Sequence, residues 1–301
     1  MSALTALLPA VVPVAFIILI GILASRVLPL ELQTLNQLTV YILAPALVAD
    51  GLYQTTLSVQ SAAGLLIGFT LISLLMYGLV WLISKFLKLS SDTHKSLLAT
   101  SLLPNNGNMG LPVIAFALGE QGLERAIIYM IGSSILLFGI APALLKGNGF
   151  NYGLRLTLKL PLIWAMIGGL SLRLFSIQLP LGLDTAIEQL GASAIPLALI
   201  ILGMQLSHTN FQLRKYEILA TGMRLFFAPL MAYGVGIILG LQGLDLQVLI
   251  LQTAMPAAVN SVVLVTEFGG DANKVARTIV VTTIASFWTL PIVLWLSNPN
   301  F

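Results

Sequence analysis

Apolar residues in this chain gather into runs of about 20, the length of helix that crosses the hydrocarbon core of a bilayer, and few charges interrupt them. Ten such runs, spans 1 to 10, are read at residues 7–25, 33–53, 61–84, 94–119, 124–145, 157–179, 189–206, 217–240, 246–268 and 275–296. Hydrocarbon offers the backbone no hydrogen-bond partner, so a lipid-exposed run of this length closes its bonds within itself as a helix. Charged residues make up only 8% of the 301, against about a quarter in soluble domains, too few to wet the surface of a water-soluble globule. The expected fold is an all-α integral membrane protein, multi-pass in a lipid bilayer. Span 1 has no charged segment before it and no clear cleavage site, and Arg26 follows it, so it is read as a retained helix rather than a signal peptide.

The longest polar connection, Lys146 to Arg155, falls at the middle of the chain and invites a comparison of the two halves. A shift of 152 residues places Pro104 on Pro256, Asn108 on Asn260, Phe116 on Phe268, Arg125 on Arg277 and Ser134 on Ser286 without a gap. Nearby shifts place Pro13 and Gly21 on Pro161 and Gly169, Pro45 and Gln54 on Pro196 and Gln205, and Tyr77-Gly78 on Tyr233-Gly234. The matches keep the order of the spans. They predict ten helices in two five-helix repeats, residues 1–146 and 156–301, joined by a cytoplasmic linker at 147–155. Five is odd, so the second repeat enters the membrane from the opposite side and the pair is inverted. Twelve of the 14 lysines and arginines fall in or beside the connections after spans 1, 3, 5, 7 and 9, among them Lys85, Lys88, Lys146, Arg155 and Lys215. The positive-inside rule places those connections in the cytoplasm and both termini outside, in the inner or plasma membrane of a prokaryotic-type cell.

Spans 4 and 9 each contain a segment that a lipid-facing helix would avoid. In LLPNNGNMGLPV, residues 102–113, Pro104 removes an amide and clashes with the preceding turn. Gly107 and Gly110 tolerate unusual torsions, and Pro112 is placed early in a resumed helix. Span 4 is therefore expected to unwind over residues 104–110. In span 9, AMPAAVNSVV at 254–263 sets Pro256 and Asn260 in the equivalent places. Inverted repeats with discontinuous helices are the architecture of secondary transporters, whose substrates bind near the midplane. Two broken, crossing helices aim two positive half-helix N-termini at one point, which favours an anion. Asparagine can cap a half-helix or contact a ligand without burying an ion. A kink with a capping asparagine explains one such helix alone, but the same Pro-x-x-x-Asn spacing in both halves favours a site. The candidate substrate-binding residues are Pro104, Asn105, Asn106, Asn108, Gly110, Pro256, Asn260 and Ser261.

Other chemistry is excluded or subordinate. No cysteine is present, which removes disulfides, thiol nucleophiles and thiolate metal sites. His94 and His208 lie apart in polar stretches and form no metal site. No Walker motif, catalytic triad or paired catalytic carboxylates converge on the breaks, so neither an enzyme nor a cofactor is implied. The pI near 9.2 reflects topology signals rather than a nucleic-acid partner. Glu267 lies seven residues after Asn260 on the same helical face and is a candidate for ion coupling, as is Asp50 at the end of span 2. Arg173 and Arg224 are expected to snorkel to opposite interfaces. Gly64-x-x-x-Gly68 and Gly236-x-x-x-Gly240 are expected to pack helices within the monomer.

LPNNGNMGLPV, AMPAAVNSVVLVTEFGGD and the closing TTIASFWTLPIVLWL resemble the auxin efflux carrier family. That family includes plant PIN-type carriers and bacterial permeases for organic anions, within a broader group holding the bile acid sodium symporters. The resemblance implies a scaffold domain of spans 1, 2, 6 and 7, a transport domain of spans 3–5 and 8–10, elevator-like alternating access and a homodimer. The plant carriers' long central loop is absent, and their Lys-Glu-Tyr run after the span 9 break reads Thr266-Glu267-Phe268 here, so only Glu267 carries over. The expected function is a secondary carrier of a small organic anion, a carboxylate, with a proton or sodium as coupling ion. Two alternatives stay open: a sodium-coupled symporter of the bile-acid type, and a ligand-binding membrane sensor without translocation.

Overall fold

The computed structural model describes residues 3–142, 150–207 and 211–297. Lys146, His208 and the first part of the 147–155 linker lie outside the described residues. Among the described residues, besides a 3-10 turn at Pro180–Gly182, twelve longer helices follow one another: α1 Ala3–Val27, α2 Leu32–Gln54, α3 Val59–Phe86, α4 Ser91–Leu102, α5 Asn106–Ile140, α6 Phe150–Leu158, α7 Pro161–Leu174, α8 Leu183–Ser207, α9 Lys215–Ile238, α10 Gly243–Thr253, α11 Ser261–Phe268 and α12 Ala272–Leu296. Among the described residues there is no β-strand, only an isolated antiparallel bridge between Pro104 and Ala257. Among the described residues, six helices are long and apolar enough to cross a membrane. Large apolar side chains such as Phe16, Leu174 and Trp288 point outward, as they do on helices whose solvent is lipid.

Local chemistry sets the helix boundaries. Ser58 and Ser90 accept from the amides of Ser61 and Thr93 at the starts of α3 and α4, and Asp271 accepts from Lys274 at the start of α12, satisfying amides that have no partner inside the helix. Within α2, α5 and α9 the helix widens into π-turns at Thr39–Leu43, Asn106–Gly110, Leu136–Ile140 and Met223–Phe227. Each ends two residues before a proline, at Pro45, Pro112, Pro142 and Pro229. A proline ring clashes with the carbonyl four residues back and supplies no amide to it, and a wider turn relieves both defects. Helix α5 is further divided at Gly119, whose φ of 65° lies in the left-handed region.

Glycines set the closest helix contacts. A Cβ on Gly21 of α1 would lie 2.9 Å from the carbonyl carbon of Ile200 in α8, and closer still to its oxygen. A Cβ on Gly169 of α7 would lie 3.1 Å from the carbonyl carbon of Ala49 in α2, and again closer to the oxygen. Gly21 and Gly169 are matched residues in the two halves. Ala49 and Ile200 are also matched, at the shift that aligns Pro45 with Pro196. The α1–α8 and α7–α2 contacts are thus made by corresponding atoms. Elsewhere Gly64 and Gly68 of α3 pack on Leu241 and Leu249, and Gly236 of α9 packs on Leu246. Gly240 does not share that role: its φ of 69° and open surroundings mark it as the turn that ends α9.

Residues 150–155, within the expected linker, begin the short helix α6, whose Thr157 packs against Gly139 of α5. The expectation for Arg224 needs correction. Arg224 does not reach an interface: it is 2% exposed, in the π-turn of α9.

Candidate functional site

Helix α4 stops at Leu102, and only Leu103–Asn105 are non-helical before the π-turn at Asn106–Gly110. The break is shorter than the 104–110 expected from sequence, because the Asn105 carbonyl accepts from Met109 (3.2 Å) and Gly110 (3.0 Å) and restarts the helix early. The second break is longer, running from the end of α10 at Thr253 to the start of α11 at Ser261. The two breaks lie against each other. Asn105 donates its amide to the Pro256 carbonyl at 2.8 Å, and Ala258 donates to the Leu103 carbonyl at 2.7 Å, forming the Pro104–Ala257 bridge. Ala257 donates its own amide to the Thr282 hydroxyl at 3.2 Å.

The interrupted elements run antiparallel. Near the start of α4, Lys95 donates to the Phe268 carbonyl that ends α11 (3.2 Å), Ser96 Oγ accepts from the Asp271 amide (2.7 Å), and Lys274 donates to Thr93 (2.8 Å). At the opposite end, Asp245 in the first turn of α10 pairs with Arg125 at 2.5 Å, just past Gly119. The matched arginine, Arg277, pairs at 2.7 Å with Glu217, which is fully buried and also accepts from the Arg214 amide.

Exposed backbone groups in an apolar interior cost several kcal/mol each, and here they are satisfied by means the sequence did not reveal. Neither Asn105 nor Asn260 caps a helix through its side chain. The bridge satisfies part of the need. Arg224 satisfies three more groups by donating from Nε to the Met255 carbonyl (3.0 Å), from Nη1 to the Ser101 carbonyl (2.6 Å) and from Nη2 to the Thr253 carbonyl. One side chain closes the C-terminal ends of α4 and α10 together. The available signal was an ionisable residue inside the apolar run of span 8, a functional suspect on that ground alone.

The carboxamides are left free of capping duty. Asn105 is 4% exposed with its Nδ2 unpartnered, and Asn106 is 2% exposed with neither Oδ1 nor Nδ2 partnered. Both line a cavity of about 110 Å³ with Pro104, Asn108 and Asn260. The π-turns of α2 and α5 add Thr39, Leu137 and Phe138 to its wall. The structure therefore brings Pro104, Asn105, Asn106, Asn108 and Asn260 to one chamber. Pro256 shapes it through the bridge, and Ser261 is buried behind it with its hydroxyl 3.4 Å from the Ala99 carbonyl. Gly110, expected in the site, does not line the chamber: it packs against the Gln252 side chain, which a Cβ there would meet.

The chamber continues into a vestibule of about 790 Å³, with which it shares Val40, Leu137, Phe138, Leu160, Pro161 and Asn260. Its wall also carries Gln33, Asn36, Gln37, Lys159 and Glu267, so Glu267 and Asn260 line one vestibule. Asp50 does not: it accepts from Gln54 at 2.6 Å and lines a separate small cleft with Asp184.

An apolar exterior, helices long enough to cross a bilayer and a buried polar break define a multi-pass helical membrane protein. Family comparison makes the class definite. The model described as "Membrane transport protein" matches residues 6–152 and 150–294, and the chain belongs to that family, the PIN-like transporters its three motifs resemble. An "Uncharacterized transporter" of Methanothermobacter thermautotrophicus is 30% identical over 270 residues, 87% of this chain and 88% of the relative. Another of that description from Methanocaldococcus jannaschii is 29% identical over 225 residues, 72% of each chain. A Rhizobium meliloti protein with the name "Putative malonate transporter" is 24% identical over 304 residues, covering 95% of this chain and 94% of its own.

Proposed function

We infer that the protein is a secondary carrier of a small organic anion, a short dicarboxylate of the malonate class, bound where the two breaks meet. One observation carries this reading: the whole Asn106 carboxamide and the Asn105 Nδ2 are buried without a partner in a chamber that Asn108 and Asn260 also line. Buried polar groups are normally partnered, and those that are not call for a specific reason. A bound carboxylate supplies one. The N-terminal turns beginning at Asn106 and Ser261 add favourable dipoles for the same charge. The R. meliloti relative named for malonate supports the choice of size and charge.

The carrier consists of ten transmembrane helices in two inverted repeats of five. The antiparallel breaks and the matched Gly21–Ile200 and Gly169–Ala49 contacts support that arrangement. The close α1–α8 and α2–α7 pairs form the scaffold, and the elements carrying the breaks move against it as the transport domain in an elevator cycle. Both termini face outside the plasma membrane. The vestibule opens beside Lys159, on the side that the basic connections assign to the cytoplasm, and so belongs to an inward-open form. Glu267, on the vestibule wall, is the candidate for ion coupling.

Reconstituted into liposomes preloaded with unlabelled malonate, the protein is expected to accumulate labelled malonate by counterflow. Uptake equal to that of protein-free liposomes, for malonate and for a panel of other short carboxylates, overturns the reading.

A further inference from the structure

The fixed charge at the crossover is not explained by transport-family membership alone. Arg224 is 2% exposed, and among the described residues no carboxylate pairs with it. Its partners are three backbone carbonyls, of Ser101, Thr253 and Met255. Those carbonyls belong to the ends of α4 and α10, where helix dipoles place negative partial charge. Two negative ends converging beside an anion site would oppose binding. A guanidinium suits this place because its planar fork of donors can serve several acceptors from two chain segments at once, which a lysine ammonium does less well.

The sequence repeat sharpens the point. The shift that aligns Tyr77-Gly78 with Tyr233-Gly234 aligns Arg224 with Gly68, which packs on Leu249. The second half alone supplies the cation, and it serves both breaks. Carbonyl dipoles solvate the guanidinium but leave its net charge, so the paired breaks carry a unit positive charge wherever they move.

We propose that Arg224 is the resident cation of the crossover, a positioning residue that ties the ends of α4 and α10 together and sets the preference of the chamber for a doubly over a singly charged anion. This rests on the substrate reading above. A unit charge at about 10 Å and an effective dielectric of about 20 changes the affinity for each anionic charge by roughly tenfold.

The test compares binding of malonate with that of its half-amide, which keeps the size and loses one charge, on purified full-length protein at neutral pH. Wild type is expected to prefer malonate by about tenfold or more on this Coulomb scale. Arg224→Gln is expected to lose most of that preference, and guanidinium at non-denaturing millimolar concentration to restore it. Arg224→Lys is expected to keep the preference while melting earlier, because one ammonium cannot span three carbonyls with the same geometry. A purely structural arginine would lower the melting temperature and leave the preference unchanged, and a folded Arg224→Gln with the wild-type preference overturns the proposal. Should that variant not fold, wild type still decides: equal affinity for malonate and its half-amide shows no charge preference and overturns it equally. Failure of wild type to bind any short carboxylate instead strikes the substrate reading.

Discussion

Adjacent glycines in α7 provide a sharp test of the packing between matched helices. A methyl added at Gly169 meets the Ala49 backbone, with the carbonyl carbon at 3.1 Å and the oxygen nearer, whereas a methyl at Gly168 meets nothing within 4 Å. Backbone atoms cannot rotate away as a side chain can, so Gly169→Ala forces α7 and α2 apart. Overpacking of this kind costs about 1–3 kcal/mol. Alanine also gains up to about 1 kcal/mol over glycine through helix propensity. The net expectation is that Gly169→Ala destabilises by roughly 1–2 kcal/mol and Gly168→Ala is neutral or stabilising by up to about 1 kcal/mol. Gly21→Ala, which meets the Ile200 backbone in the matched contact, should behave like Gly169→Ala. Melting temperatures of the purified variants in one detergent give the comparison. If Gly169→Ala melts with or above Gly168→Ala, the close approach of α2 and α7 is wrong.

Topology is testable because the chain contains no cysteine. With both termini outside, Gln242→Cys is expected to react with an impermeant maleimide on intact cells and Lys88→Cys only after lysis; the opposite pattern inverts the topology. If Glu267 couples an ion, Glu267→Gln keeps malonate binding but alters the pH or sodium dependence of its transport, and an unchanged dependence returns Glu267 to the role of a solvated vestibule wall.

Some of this architecture was legible because its cause is local. Proline removes an amide wherever it stands, so Pro104 and Pro256 announced the breaks, and the matched spacing to Asn108 and Asn260 announced that the breaks belong together. What satisfied the broken backbone was not legible. The Asn105–Pro256 and Leu103–Ala258 bonds join residues about 150 positions apart, and no local pattern specifies them. Arg224 was misplaced for the same reason: snorkelling is the default for a lone arginine, and only the convergence of three distant carbonyls makes burial tolerable. The π-turns were encoded two residues before Pro45, Pro112, Pro142 and Pro229, but other prolines, such as Pro196 inside α8, have no such turn. Asn36 of α2 and Glu267 of α11 are far apart in sequence, yet both line the vestibule.

The most direct test of the account is the malonate dissociation constant, measured by calorimetry on purified Asn108→Ala and Asn260→Ala, each first shown to be monodisperse with a near wild-type melting temperature. The exposed Asn273→Ala, at the start of α12, serves as the control. Removing a carboxamide that bonds a charged ligand costs about 1.5–3 kcal/mol, or roughly ten- to a hundredfold in affinity. The account predicts that loss for both chamber variants and wild-type affinity for the control. Wild-type affinity in folded Asn108→Ala and Asn260→Ala would contradict it and make the paired breaks a structural feature only.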